Sequence, residues 1–229
     1  IICPIGGGGI IAGIATAAKA LNPNVKIIGV QTANIPSMKE SIEHGHVTTA
    51  FKATTIADGI AVKTPGEYTF EIIKDLVDEV IVVEESEIAQ AMLYLLENQK
   101  LIAEGSGAVS TAALLSGKYK PAKDENVVCI ISGGNVDVNT LYRVIGTALT
   151  SEGRRYVFKT KIQDKPGGLA ELTQIISGLN ANILSANMTR PPKETLGSLY
   201  LEIELETFNQ EHKDKIKQAV EAAGFVIED

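Results

Sequence analysis

The feature that most constrains this chain is a run of four glycines between a short apolar segment and a helical pattern. Residues 1–5 have the composition of a buried strand, Gly6 to Gly9 follow directly, and small apolar residues at helical spacing occupy residues 10–21. Glycines permit backbone conformations that other residues avoid and let the chain approach a ligand closely. The free N–H groups of such a loop and of the first helical turn form an anion site. The sequence therefore predicts a phosphate-binding strand–loop–helix unit, with a flexible turn as the structural alternative.

Two familiar phosphate-binding loops fit this stretch poorly. An ATP-type loop ends in Gly-Lys-Ser/Thr, whereas Gly9 is followed by Ile10. The dinucleotide fingerprint needs a third glycine where Ile11 stands and an acidic ribose partner near Gln31. A single terminal phosphate on a small cofactor is therefore the better interpretation.

Composition excludes several classes of partner. The chain has 229 residues, a formal charge of −7 and no basic cluster, which argues against nucleic acid. No apolar stretch reaches the length of a membrane span and no signal peptide is visible, so we expect no membrane association. Cys3 and Cys129 each lie in an apolar, strand-like run. They are interpreted as small core residues rather than a disulfide or metal pair, which suits the cytoplasm.

The first two thirds of the chain has the pattern of a doubly wound α/β protein. Apolar runs at residues 26–31, 80–83 and 127–131 are typical of strands that a parallel sheet buries on both faces. Helical patterns separate them, including one that Ser86 would cap. The last run leads into a second glycine turn at residues 132–135. Because ligands in open parallel sheets collect at the carboxyl ends of the strands, we expect the two glycine turns to share one crevice.

The pattern changes near residue 150, and the remainder predicts a separate domain. Its elements follow the order strand, helix, strand, strand, helix, strand, which is the ferredoxin-like βαββαβ arrangement. The predicted strands are 155–162, 182–189, 196–207 and 225–227, with helices at 169–179 and 210–223. The two middle strands are joined across Pro191 and Pro192. We therefore predict domains at residues 1–149 and 150–229.

Four motifs together carry a resemblance to a known family. They are Pro4-Ile5-Gly6-Gly7-Gly8-Gly9, Ile56-Ala57-Asp58-Gly59, Glu104-Gly105-Ser106-Gly107-Ala108 and Ser132-Gly133-Gly134-Asn135. In this order and spacing the chain resembles the threonine/serine dehydratases, which are pyridoxal-phosphate enzymes of the tryptophan-synthase-β fold type (fold type II). The match covers residues 1 to about 148. The remainder is similar to an ACT domain, a regulatory module that binds small effectors, often amino acids.

The resemblance implies an activity and partners. The expected reaction is the conversion of L-threonine to 2-oxobutanoate and ammonia by a threonine ammonia-lyase, in isoleucine biosynthesis or threonine catabolism. L-Serine dehydration is the nearest alternative, because the residues that distinguish a β-methyl group are not in view. We expect a homo-oligomer, dimer or tetramer, controlled through the ACT domain. An alternative from a different functional class is a non-catalytic role, in which the chain alone binds an effector and forms oligomers.

The resemblance also assigns roles to individual residues. Gly6–Gly9 would hold the cofactor phosphate, Ser132 would hydrogen-bond the pyridine nitrogen, and Glu104 would lie near the ring. Gly59 would form part of the pocket wall. Asp58 would either form part of the same wall or cap the adjacent turn. A neutral hydroxyl cannot stabilise a pyridinium as a carboxylate would, which suits β-elimination of a hydroxyl group. The structural alternatives are a turn hydroxyl for Ser132 and a surface carboxylate for Glu104.

Two features of the family are not expected in this sequence. The Schiff-base lysine belongs to a Ser-Phe-Lys-type motif upstream of the glycine loop, and Lys19, Lys52 and Lys63 lack that context. The chain begins without Met in a core-strand pattern, so we expect a C-terminal piece that is inactive alone. Relatives of the serine racemase kind carry two metal-binding carboxylates where Gln31 and Ser37 stand here, so no metal is predicted.

The ACT-like segment contains a candidate effector site. Gly167 and Gly168 open a helix with bare backbone N–H groups, where a carboxylate can dock. Asp164 and Asn182 match positions that ACT domains use to hold an effector's amino group or to bridge a dimer. The structural alternatives are a turn residue for Asp164 and a strand-entry residue for Asn182. The hypothesis is that isoleucine or valine binds between two ACT domains against Asp164, Gly167 and Asn182.

Overall fold

The structure is a computed structural model that describes residues 1–51, 54–190 and 197–228. Predictions that fall on Lys52 or on the Pro191–Pro192 junction lie outside the described residues. The strands are β1 (Ile2–Pro4), β2 (Ile28–Thr32), β3 (Glu79–Val83), β4 (Arg155–Gln163), β5 (Asn182–Thr189), β6 (Ser198–Glu206) and β7 (Ile227–Glu228). The helices are α1 (Gly9–Leu21), α2 (Ser37–His44), α3 (Glu67–Leu76), α4 (Glu85–Tyr94), α5 (Gly105–Leu115), α6 (Val138–Ser151), α7 (Gly168–Gly178) and α8 (Gln210–Ala222).

The chain divides into two compact units, Ile1–Ile145 and Gly146–Asp229. The division falls inside α6, whereas the sequence places the boundary between residues 149 and 150. Both positions lie within the residue range of α6. Across the described residues, no helix combines the length and the apolar composition needed to cross a bilayer.

The first unit is built on a parallel sheet in the order β1-β2-β3. Ile2 pairs with Ile28, and Val30 pairs with Ile81. All five residues of β2 are buried, as expected for the central strand of a sheet that is covered on both faces. The predicted alternation of parallel strands and helices is therefore confirmed for this unit.

Small residues on α1 allow the helix to pack closely in the core of the first unit. Its buried residues are Ile11, Ala12 and Ala15. Cys3 belongs to the same cluster and is fully buried. Burial raises the pKa of the Cys3 thiol to about 12, because the thiolate would lose its hydration. The prediction that Cys3 is a core residue is confirmed, and Cys129 is a free, half-buried thiol.

The prediction of a full strand at residues 127–131 is wrong. The segment meets β1 at a single parallel bridge between Ile2 and Cys129. The Ile2 N–H donates to the carbonyl of Val128 at 2.8 Å, and the Ile130 N–H donates to the carbonyl of Ile2 at 2.9 Å. β1 has only three residues. It is therefore too short to pair with the whole apolar run.

The predicted cap of α4 is also wrong, because Glu84 and not Ser86 caps the helix. The Glu84 N–H donates to the Glu87 carboxylate at 2.7 Å, and the Glu87 N–H donates to the Glu84 carboxylate. This reciprocal arrangement satisfies two N–H groups that the helix itself leaves unbonded. α3 is one of the predicted helices that separate the apolar runs, and it precedes the run at residues 80–83.

The second unit has an antiparallel sheet in the order β5-β6-β4-β7, and α7 and α8 contribute to its core. On β6, Leu201, Ile203 and Leu205 are fully buried, whereas the glutamates between them are not. Glu202 on the other face pairs with Lys159 of β4 at 3.2 Å. Apolar and acidic residues thus alternate between the two faces of β6, and the predicted βαββαβ order is confirmed.

Asp78 joins three elements of the first unit. Its carboxylate accepts a hydrogen bond from the Ile27 N–H at 2.7 Å, next to β2, and from the Lys19 ammonium of α1 at 2.8 Å. Burial alone would raise the pKa of the Asp78 carboxyl, but the bonds from Lys19 and Ile27 outweigh it and hold the pKa below its ordinary value.

We predict that Asp78→Asn lowers the free energy of unfolding by about 1 kcal/mol at neutral pH, because a partly exposed ion pair and one charge-assisted bond are lost. Since the folded pKa lies below the unfolded value, the stabilisation is present above the unfolded pKa and is lost as the pH falls through the folded pKa. Urea unfolding between pH 7 and pH 2 should therefore show a weaker acid dependence for this variant. Asp75→Asn, at an exposed neighbouring position, is the control, and an unchanged acid dependence in Asp78→Asn would contradict the prediction.

Candidate functional site

The glycine loop joins β1 to α1 and has a shape that only glycine can provide at one position. Gly8 precedes α1 with a left-handed φ of 95°. A Cβ atom on Gly8 would lie 2.8 Å from both Ile73 Cδ1 and Thr69 Oγ1. The Thr69 hydroxyl donates to the carbonyl of Gly7 at 2.6 Å. The loop is therefore fixed against α3 by backbone conformation, close packing and a hydrogen bond.

The N–H groups of this loop are available to a ligand. Within the described part of the chain, the N–H groups of Gly6, Gly7, Gly8 and Gly9 donate to no protein acceptor. Gly9 begins the 13-residue helix α1, whose N-terminus carries a partial positive charge. A Cβ atom on Gly9 would meet no atom within 4 Å. Open space, unpaired donors and a helix N-terminus together suit an anion.

A cavity of about 280 Å³ lies against the glycine loop. It brings together all the residues for which the sequence predicts cofactor contacts. These residues are Gly6, Gly7, Gly8, Gly9, Gly59, Glu104 and Ser132. The two glycine turns therefore share one crevice, as expected from their places after β1 and after the apolar run that adjoins it.

Asp58 takes a different place from its neighbour Gly59. Its Oδ1 accepts a hydrogen bond from the Gly59 N–H at 2.8 Å, so it stabilises its own turn. The side chain lines an adjacent cavity of about 340 Å³, and Glu104 lines both cavities. Of the two roles that the sequence left open, the structure shows Asp58 in the turn and in the wall of the neighbouring cavity.

The motifs around the cavity approach one another closely at three glycines. A Cβ atom on Gly105 would overlap the carbonyl of Ile56, and one on Gly107 would overlap the carbonyl of Gly133. A Cβ atom on Gly133 would overlap the carboxylate of Glu104. At Gly105 and Gly107 no larger side chain fits without displacing the backbone, and at Gly133 a larger side chain would displace the Glu104 carboxylate. The glycines of the motifs are therefore needed for assembly of the site.

Glu104 connects the start of α5 with the second glycine turn. Its carboxylate accepts a hydrogen bond from the Asn135 N–H at 3.1 Å, and its own N–H donates to the carbonyl of Gly133 at 3.2 Å. Glu104 is half-buried rather than fully exposed. These two bonds hold the turn that carries Ser132 against the first turn of α5.

Glu85 is a site-supporting residue that the sequence did not reveal. Its carboxylate accepts hydrogen bonds from the hydroxyls of Thr32 and Thr55 at 2.8 and 2.7 Å. It also accepts one from the Ile56 N–H at 2.7 Å. Glu85 thus fixes the segment that leads to Gly59. A pair of acidic residues directly after β3 was the available signal, but the partners of Glu85 are distant in the chain.

Gln31 and Ser37 are both buried and both engaged in internal hydrogen bonds. The Gln31 amide donates to the carbonyl of Ile5 at 3.4 Å and accepts from the Lys39 N–H at 2.9 Å. The Ser37 hydroxyl donates to the carbonyl of Val62 at 2.7 Å. These side chains therefore stabilise the loops around the sheet. Among the residues that the structure describes, no group of three or more His, Cys, Asp or Glu side chains could hold a metal ion.

In the second unit, Gly167 and Asp164 lie near the end of β4. Gly167 has a left-handed φ of 92° and lines a cavity of about 290 Å³ with Lys161 and Lys165. The carboxylate of Asp164 lies 3.6 Å from the guanidinium of Arg190. Asp164 is not among the described residues that line this cavity.

Asn182 lies at the opposite end of the same sheet. It pairs with Glu206 at the end of β6, whereas Gln163, next to Asp164, pairs with Ser198 at its start. The nine residues of β6 separate these ends by roughly 26 Å at about 3.3 Å per residue. Asn182 and Asp164 therefore cannot contact one small ligand within a single chain.

Comparison with known proteins gives the family of the first unit. The family described as "Pyridoxal-phosphate dependent enzyme" matches residues 1–133. The chain belongs to this family. Its cofactor is pyridoxal phosphate, and the unpaired N–H groups of Gly6–Gly9 fit the phosphate of that group.

Over its whole length, this member of the pyridoxal-phosphate enzyme family is similar to two bacterial proteins named L-threonine ammonia-lyase. The one from Thermotoga maritima is 45% identical over 228 residues, which are 99% of this chain and 56% of that protein. The one from Geobacter sulfurreducens is 44% identical over 229 residues, which are 100% of this chain and 57% of that protein. The chain thus spans about half the length of the curated relatives it matches.

A solved structure of the processed form of threonine deaminase isoform 2 from Solanum lycopersicum is also similar. The identity is 39% and the TM-score is 0.59. The similarity covers 64% of this chain and 43% of that one. The fold of this pyridoxal-phosphate enzyme chain is therefore shared with a threonine deaminase over much of its length.

We predict that Gly8→Ala and Gly9→Ala have different effects on folding. Gly8→Ala should lower the free energy of unfolding by about 2 kcal/mol, because alanine is strained at this φ and its methyl group meets Ile73 and Thr69. Gly9→Ala should leave it unchanged or slightly raised, because the methyl group points into open space and alanine favours helix. Urea unfolding followed by circular dichroism checks both variants. Equal midpoints would show that the loop does not have this conformation.

Proposed function

We propose that the protein is a threonine ammonia-lyase that converts L-threonine to 2-oxobutanoate and ammonia. The observation that carries the proposal is the single cavity formed by the glycine loop, Gly59, Glu104 and Ser132. The names of the similar proteins from Thermotoga maritima and Geobacter sulfurreducens support it. Because the chain spans about half of those relatives, the activity is proposed for the whole protein.

The residues of this chain would bind and orient the cofactor. When bound, pyridoxal phosphate accepts the electron pair that remains when the α-proton of the amino acid leaves. The N–H groups of Gly6–Gly9 would hold the phosphate at the N-terminus of α1. The Ser132 hydroxyl would form a hydrogen bond with the pyridine nitrogen without adding charge, which would moderate the electron sink. Glu104, fixed by Asn135, would lie beside the ring.

The lysine that binds the cofactor covalently is proposed to lie outside these 229 residues. In the described part of the chain, no lysine lines the cavity. Lys19 is engaged with Asp78, and Lys118 is engaged with Glu87 at 2.8 Å. We therefore expect the chain to bind a phosphate group but to release no ammonia alone.

The second unit is proposed to be an ACT domain that binds a branched amino acid, isoleucine or valine. The βαββαβ order and the cavity beside Gly167 support this role. Because Asn182 lies far from Asp164 in one chain, an effector held by both needs two copies of the unit. The proposal thus includes a homo-oligomer, dimer or tetramer, whose interface forms the effector site.

The enzyme proposal predicts a specific effect of Ser132→Ala. The test protein is a chimaera in which this chain replaces the matching part of the Thermotoga maritima relative. The chimaera should release ammonia from L-threonine, and Ser132→Ala should lower kcat about ten-fold, as loss of one hydrogen bond to the cofactor implies. Binding of pyridoxal phosphate should be retained, because the glycine loop is unchanged.

Ser86→Ala is the matched control, since this exposed serine lines neither cavity. An unchanged kcat in Ser132→Ala would contradict the role of the hydroxyl. Ammonia release from L-serine but not from L-threonine would replace the proposed activity with serine dehydration. No ammonia from either amino acid, with the chimaera folded and cofactor bound, would refute the enzyme proposal.

The effector proposal predicts complementation between variants. Asp164→Asn and Asn182→Ala should each abolish the calorimetric heat of isoleucine or valine binding to the 229-residue chain. Mixed oligomers of the two variants should regain binding, because one interface then carries both native residues. Heat that survives in either variant, or mixtures that regain none, would contradict a site shared between two copies.

A further inference from the structure

Ser106 is a buried polar residue whose hydroxyl has no partner. It is the second residue of α5 and is 2% exposed. Within the described part of the chain, its Oγ makes no hydrogen bond. Such groups are uncommon in folded proteins, because a desolvated hydroxyl normally finds a donor or an acceptor. Ser106 also lines the cavity beside the glycine loop.

The neighbours of Ser106 show which part of a ligand it would meet. A Cβ atom on Gly59 would lie 2.8 Å from Ser106 Oγ and 3.6 Å from Glu104 Oε1. Ser106 is therefore on the side of the cavity formed by Gly59 and Glu104, and its hydroxyl is not part of the glycine loop. The rest of a ligand with its phosphate on that loop would occupy the part of the cavity that Gly59, Glu104 and Ser106 line. Gly59 lies directly against this hydroxyl, and a larger residue at position 59 would displace it.

We propose that Ser106 is a binding residue for the ring of the cofactor, through a hydrogen bond between its Oγ and a polar atom of the ring. This inference rests on the proposed position of the phosphate at Gly6–Gly9. A serine hydroxyl both donates and accepts, so it matches either kind of polar atom on a pyridine ring. Ligand binding would then satisfy a group that the protein leaves unpaired.

Ser110 provides a matched control within the same helix. It lies one turn further along α5, is fully buried, and its Oγ also lacks a partner within the described part of the chain. Ser110 is not among the residues that line the cavity. Replacement of either serine by alanine removes a buried, unpaired hydroxyl without adding volume. The two variants should therefore resemble each other in stability and differ only in ligand binding.

The test measures the dissociation constants of the chimaera for two probes by calorimetry. Pyridoxine 5′-phosphate carries the ring but has no aldehyde, so it binds without a covalent bond to lysine. Inorganic phosphate reports on the glycine loop alone. Ser106→Ala should weaken pyridoxine 5′-phosphate binding about ten-fold and change inorganic phosphate binding less than about two-fold. Ser110→Ala should change neither constant.

The outcomes separate this inference from the proposed function. If the parent chimaera binds both probes and Ser106→Ala binds them equally well, the inference is overturned and the phosphate site stands. Equal weakening for both probes would place the hydroxyl at the phosphate and would also overturn it. If the parent binds neither probe, the proposed cofactor site fails and the inference fails with it. Thermal unfolding monitors the fold, and Ser106→Cys, a weaker hydrogen-bonding group of similar shape, should give intermediate affinity if the alanine variant does not fold.

Discussion

The site depends on chain segments that pack closely against one another at glycines. The carbonyl of Ile56 touches Gly105, the carbonyl of Gly133 touches Gly107, and the carboxylate of Glu104 covers Gly133. Each contact joins two of the motifs that surround the cavity. A methyl group at Gly105 or Gly107 would force the segments apart and open the cavity, and one at Gly133 would displace the Glu104 carboxylate. Close backbone approach therefore determines both the shape of the site and the composition of its motifs.

Polar groups around the cavity are arranged on different walls. The glycine loop offers unpaired N–H donors at a helix N-terminus, which favour the negative charge of a phosphate. Glu104 carries a negative charge on another wall, and the Asn135 N–H fixes its carboxylate. Ser132 and Ser106 contribute neutral hydroxyls. A ligand with a phosphate at one end and a neutral or basic ring at the other matches this distribution of charge.

The sequence predicted the local parts of this arrangement and missed its long-range supports. The glycine loop and the strand–helix alternation follow from backbone chemistry and periodicity, so both could be read from consecutive residues. The role of Glu85 could not be predicted in this way, because only the folded chain brings its partners Thr32 and Thr55 close to it. The apolar run at residues 127–131 predicted a full strand, but the three-residue length of β1 limits the pairing. Periodicity indicates whether a segment forms a helix or a strand, but it does not give the length of the neighbouring strand with which that segment pairs.

The second unit shows the same limit in a different form. The alternation of apolar and acidic residues along β6 matches which side chains face the core, and Leu201 and Ile203 are fully buried. Alternation does not give the position of a residue along its neighbour, which depends on strand register. That register places Asn182 beside Glu206 and Asp164 beyond Ser198, at opposite ends of the sheet. If one small ligand contacts both residues, the geometry requires a second copy of the chain, so ligand binding and assembly would be coupled.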